Sequence, residues 1–142
     1  MPSAQHAVTI SRPVGDVFAF VADGTNAKQW RPGVVDVAHL SGEGKGAVYR
    51  QGVKGPGGRR IAADYEVTEF EPNRRLAFHA IAGPVRPSGE YRFEANGDQT
   101  AVTFSLEATL SGWKAILMGR AVQSTMDSEV HTLDNLKRIL EA

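Results

Sequence analysis

Residues 111–142, SGWKAILMGRAVQSTMDSEVHTLDNLKRILEA, decide the fold. With the helical register set by Met126, the side chains of Ala115, Gly119, Val122, Val130, Leu133 and Leu140 fall on one side, at spacings of three or four residues. Ser111 reads as an N-cap and no proline interrupts the run, which predicts one amphipathic helix of about 30 residues and about 45 Å. A helix that long needs a wide surface to lie against. Its apolar stripe is graded, with small Ala115 and Gly119 near the start, Val122 and Met126 in the middle, and Leu133, Leu136 and Leu140 towards the end. The second half is therefore expected to fill a core and the first half to leave room.

The surface is found immediately upstream. Between residues 34 and 108 the helical period vanishes and turn signals recur about every ten residues, the pattern of antiparallel strands joined by hairpins. Six strands are read, over residues 34–40, 47–53, 59–70, 75–81, 89–95 and 100–109. In the last two, Tyr91 and Phe93 oppose Glu90, Arg92 and Glu94, while Val102, Phe104, Leu106 and Ala108 oppose Thr103, Ser105 and Glu107. Such alternation gives a sheet with one dry face. Over residues 59–70 the dry set is Ile61, Ala63, Tyr65 and Val67, whereas residues 34–40 and 47–53 do not choose a face.

Nearer the start, residues 6–10 alternate as a short strand, and Ser11-Arg12-Pro13 opens a helix whose apolar face is Val14, Val17, Phe18 and Val21. Asp23-Gly24 ends it, and residues 25–30 form a second, shorter helix that stops before Pro32-Gly33. The order is strand, two short helices, six strands and one long helix. One dry face and one dry stripe pack economically as an α+β fold, the sheet curled round the last helix.

At 142 residues and 42% hydrophobic content, the chain has the size of one domain, expected to span residues 1–142. Sixteen basic and sixteen acidic residues cancel without a run of like charge, which argues against nucleic acid as a partner. No apolar run approaches the roughly 20 residues that span a bilayer, so no stable membrane insertion is expected. Cysteine is absent and residues 1–5 do not resemble an export signal, which fits a reducing, cytoplasmic setting.

Three stretches carry a family resemblance: Pro13-Val14-Gly15-Asp16-Val17-Phe18, Trp30-Arg31-Pro32-Gly33, and Tyr65-Glu66-Val67-Thr68-Glu69-Phe70-Glu71-Pro72-Asn73-Arg74-Arg75-Leu76. Over nearly its whole length the chain resembles the START-like (SRPBCC) superfamily of polyketide cyclases/dehydrases and lipid-transport proteins. That resemblance implies a helix-grip fold, a seven-stranded antiparallel sheet wrapped round a C-terminal helix, with an internal cavity for hydrophobic small molecules. Its members include carriers of lipids, quinones or hormones and cyclases or dehydratases of polyketides, and the fold does not choose among them.

The chemistry must then be sought in residues. His6, His39, His79 and His131 lack metal-ligand spacing, so no metal or cofactor is expected. His131 follows Asp127 by four residues, as a surface helix pair would, and His79 is undecided by pattern. No Ser/His/Asp arrangement or Gly-x-Ser-x-Gly motif can be assembled, and the glycine-rich stretches 42–46 and 52–58 lead into strands, as hairpin turns do. No catalytic residue is assigned. One of Arg50 and Gln51 must face inward if residues 47–53 are a regular strand; elsewhere the expected inner faces are almost free of charge, which argues against a committed acid/base enzyme.

The expected ligand-binding set is Trp30, Tyr49, Tyr65, Phe78, Tyr91 and Phe104 from the strands and short helices, with Ala115, Gly119, Val122 and Met126 from the last helix. Aromatic side chains also build cores, but a buried tyrosine needs a partner for its hydroxyl, so Tyr65 and Tyr91 are polar handles within an apolar cavity. The leading expectation is a module that binds a small hydrophobic or amphipathic molecule. The alternatives are an enzyme of cyclase, dehydratase or hydrolase type using the same cavity, and a protein-interaction or chaperone-accessory domain.

Overall fold

The computed structural model describes residues 2–83, 85–110 and 112–142, with the side chains of these apart from 56 and 113–117. Strand β1 (Ser3–Ile10) leads into α1 (Val14–Ala22), a single 3-10 turn (Gly24–Asn26) and the one-turn helix α2 (Ala27–Trp30). The strands β2 (Val34–Ser41), β3 (Val48–Lys54), β4 (Arg60–Ala62), β5 (Tyr65–Glu71), β6 (Arg75–Ala80), β7 (Ser88–Asn96) and β8 (Gln99–Glu107) follow. Helices α3 (Trp113–Val130) and α4 (Leu133–Leu140) close the described chain. Seven strands run in the order β1-β8-β7-β6-β5-β3-β2, all neighbours antiparallel, with short β4 paired to the end of β3. This is the helix-grip α+β arrangement. Register shifts between Val67 and Glu69 and at two places along β2 mark bulges, which add local bend and twist to the sheet.

Strand β1 begins three residues before the stretch 6–10 read as a strand, the helix read over 25–30 is a 3-10 turn followed by α2, and two longer elements are split. The stretch 59–70 is split at Ala63 and Asp64, because β4 pairs with the end of β3 while β5 pairs with its beginning. The crook is held by Ala63 N donating to Gln51 O at 2.8 Å and Gln51 N donating to Asp64 Oδ1 at 3.1 Å. The terminal rod is also two helices. At the break, Thr132 donates both its backbone N and its Oγ1 to Glu129 O, and a hydroxyl that competes for helix carbonyls in this way interrupts the regular ladder. The proposed cap Ser111 lies outside the described residues.

The solid core lies towards α4. Leu133 and Leu136 are fully buried together with Ile10, Val17, Val102 and Phe104. Asn135 Nδ2 donates to Trp30 O at 3.1 Å, Lys137 Nζ to Thr9 O at 2.6 Å, and Arg12 Nη1 to Leu140 O at 3.0 Å. These bonds tie the rear helix to the end of β1, to the turn that opens α1 and to α2. The leucine-rich end of the stripe does fill a core, as its side-chain volumes require.

Candidate functional site

Between the concave face of the sheet and α3 lies a cavity of about 410 Å³. Each of five strands contributes one ring to its wall: Tyr49 from β3, Tyr65 from β5, Phe78 from β6, Tyr91 from β7 and Phe104 from β8. Inward-facing positions of neighbouring strands bring these rings into succession, with centroids 5.1 Å apart for Tyr49–Tyr65, 5.6 Å for Tyr65–Phe78, 6.0 Å for Phe78–Tyr91 and 4.2 Å for the stacked Tyr91–Phe104. Trp30 at the end of α2 meets Tyr91 edge-on at 6.1 Å. Gly24 is required beside this row, since a Cβ there would stand 2.3 Å from Tyr65 Oη and 2.8 Å from a Tyr49 ring carbon.

Helix α3 supplies the opposite wall through Met118, Ala121, Val122, Thr125, Met126 and Glu129. Val122 and Met126 therefore stand where the apolar stripe places them. Gly119 falls just off this lining, one position from Met118, and a Cβ added to it meets no described atom within 4 Å. The Ala115 side chain, like that of Trp113, lies outside the described residues.

The alternation of β3 is now settled. Tyr49 and Gln51 are buried and Val53 also lines the cavity, so Arg50 points outward and is exposed. His79 is likewise exposed and joins Ser88 Oγ at 2.8 Å on the outer face. His6 stays outside the cavity, joined to Asp134 Oδ1 at 2.9 Å and stacked on His131, with centroids 4.1 Å apart. Segments 52–60 and 81–88 border the cavity through Val53, Lys54 and Gly55 and through Val85 and Pro87.

The inner faces are not free of charge, contrary to the sequence reading. Arg31, in the turn after α2, donates through Nε to Glu129 Oε1 on α3 and through Nη1 to Gln51 Oε1 at 3.3 Å. Both ions line the cavity, with side chains only 14% and 22% exposed. Burial, the largest single influence, disfavours the guanidinium charge, but the Glu129 carboxylate together with Tyr91 and Tyr65 offsets it and holds Arg31 above the ordinary arginine range. Gln51 is fixed in turn by donating Nε2 to Ala63 O at 3.3 Å. Burial also pushes the Tyr65 and Tyr91 phenols above their usual range, with nearby Arg31 pulling back in each case. Neither hydroxyl has a hydrogen-bond partner among the described residues.

This pair escaped the sequence reading because Arg31 sits in a loop and Glu129 reads as a solvated helix residue. A signal was present: Glu129 stands three residues after Met126 and seven after Val122, a carboxylate on the apolar stripe. Its position also borders an outer polar groove that includes Ser124, Ser128 and His131, which accounts for its partial exposure.

A family model described as polyketide cyclase/dehydrase and lipid transport matches residues 1–141. The chain belongs to that family. Several solved structures share its fold. The protein TTHA0849 from Thermus thermophilus superposes with a TM-score of 0.83 at 22% identity, over 98% of this chain and 97% of that one. The Zhui aromatase/cyclase from a Streptomyces species gives 0.68 at 20% identity, over 97% and 88%. A START superfamily protein from Mycobacterium smegmatis gives 0.70 at 17%, over 98% and 94%. No curated protein matches the chain. Family membership supports a hydrophobic ligand-binding or cyclase role without selecting between them. Among the described residues no helix is long and apolar enough to cross a membrane.

Proposed function

We propose that this protein binds one small amphipathic molecule between the aromatic row and α3, its apolar body against the rings and its polar end near Arg31, Gln51 and the two phenols. The supporting observation is the cavity of about 410 Å³, walled by apolar side chains with a few convergent polar groups, the usual make-up of a small-molecule site. If such a guest buries about 400 Å² of apolar surface, transfer supplies on the order of 10 kcal/mol, and an association cost of about 4 kcal/mol leaves about 6 kcal/mol, an affinity of tens of micromolar.

The test is uptake of the neutral, environment-sensitive dye 6-propionyl-2-(dimethylamino)naphthalene by the wild type and by Val122→Trp, whose larger side chain grows into the cavity. A blue-shifted, saturable signal in the wild type that is lost in the variant supports the site. Equal signals in both proteins count against it.

A second reading, an enzyme of cyclase or dehydratase type, is favoured by one observation, the Arg31–Glu129 pair beside two protonated phenols within reach of a cavity-bound carbonyl. Turnover of candidate polyketone substrates that falls in Tyr65→Phe or Tyr91→Phe would favour it over simple carriage. An interaction role has no comparable support: among the described residues the exposed large hydrophobic side chains are Leu40 and Ile81, one on β2 and the other in the loop after β6.

A further inference from the structure

Of the ionisable side chains lining the cavity, Asp23 and Lys54 are exposed where it meets solvent. The charges deeper in its wall are Arg31 and Glu129, and they neutralise each other. A carboxylate bound there would compete with Glu129 for one guanidinium and leave the site with a net negative charge in a largely dry setting; an ammonium would leave it net positive. Either arrangement carries an uncompensated buried charge, which is costly. An uncharged guest avoids that cost. It also finds donors, because the Tyr65 and Tyr91 hydroxyls and Arg31 Nη2 make no hydrogen bond to a described residue.

We infer that the cavity selects an uncharged ligand bearing an oxygen acceptor, such as a ketone, ester or phenol, and that Glu129 sets this selectivity by occupying the Arg31 charge. The inference rests on the cavity being the binding site. It makes Glu129 a specificity-determining residue whose removal converts the site to one that accepts carboxylates, since a freed guanidinium binds a carboxylate through strong charge-assisted hydrogen bonds.

A matched pair of probes tests this: 2-acetylnaphthalene, a neutral ketone, and 2-naphthoate, of nearly the same shape but ionised at pH 7, titrated calorimetrically into the intact protein. The wild type is expected to favour the ketone by at least about tenfold, and Glu129→Gln to move the ratio of affinities towards the naphthoate by at least about tenfold. Circular dichroism checks that the variant is folded. Should it not fold, Gln51→Arg, which adds a permanent cation beside the intact pair, takes its place with the same expected shift. Equal affinity of the wild type for the two probes, or an unchanged ratio in the folded variant, overturns the inference while leaving the cavity reading standing. Binding of neither probe overturns that reading and the inference with it.

Discussion

The Arg31–Glu129 pair makes a quantitative prediction about stability that is independent of any ligand. Its side chains are 14% and 22% exposed, so removing either partner strands the other charge in a largely dry setting. Breaking a buried pair in this way costs about 3–5 kcal/mol, and the solvent that still reaches Glu129 places Glu129→Leu and Arg31→Met near the lower end, about 3 kcal/mol each. Against a typical total of about 5–15 kcal/mol this is a large loss, and with a urea dependence of about 2 kcal/mol per molar it lowers the midpoint by about 1.5 M. The double variant Arg31→Met/Glu129→Leu removes both charges and refills the space with apolar atoms. It is expected within about 1 kcal/mol of the wild type, so that two single losses of about 3 kcal/mol each imply a coupling of about 5 kcal/mol in a double-mutant cycle. The assay is equilibrium urea unfolding followed by circular dichroism on all four proteins. Single losses that simply add in the double variant, with coupling below about 0.5 kcal/mol, would refute the claim that these charges are buried and mutually dependent.

Further outcomes follow from the same geometry. Gly24→Ala places a methyl group against Tyr65 Oη and the Tyr49 ring, so it should displace those rings and weaken dye uptake by at least about tenfold, measured by fluorescence titration, at a cost in stability of about 1–3 kcal/mol. Leu136→Ala removes a fully buried side chain from the solid core and should cost about 2–5 kcal/mol in urea unfolding while leaving dye uptake by the folded protein nearly unchanged. Tyr91 is 5% exposed and its phenol is held protonated by burial, so above about pH 10, where the unfolded chain releases that proton and the native one does not, this group alone should lower stability by about 1.4 kcal/mol per pH unit, and Tyr65 adds to the fall. The contribution is complete below about pH 10, and Tyr91→Phe should show a shallower alkaline loss in unfolding experiments run at several pH values.

What could be read beforehand was whatever depends on period. The alternation along residues 89–95 and 100–109 located β7 and β8 and their dry face, and the leucines at 133, 136 and 140 located the core beneath α4. The turn between the strands read at 59–70 and 75–81 was legible because Asn73 tolerates the left-handed backbone it adopts there, with φ 66°. The break before α4 was not legible: no proline or glycine marks it, and a threonine hydroxyl bonding back to the preceding turn leaves no periodic trace. Nor was the choice between Arg50 and Gln51, since β3 is apolar or polar on both sides and only its pairing with β5 settles the parity. The buried ion pair joins a loop to a helix 98 residues away, a juxtaposition that no local pattern encodes.

Five rings on five strands make the interior modular. Each strand is fastened to its neighbours through the backbone, so the ladder does not depend on which side chain stands on the rung that looks inward. Exchanging a single ring alters the outline of the hollow at one spot and leaves the other panels and the solid rear of the molecule in place. A scaffold of this construction can change the outline of its cavity by single steps while its architecture persists, consistent with fold agreement at sequence identities of 22%, 20% and 17%.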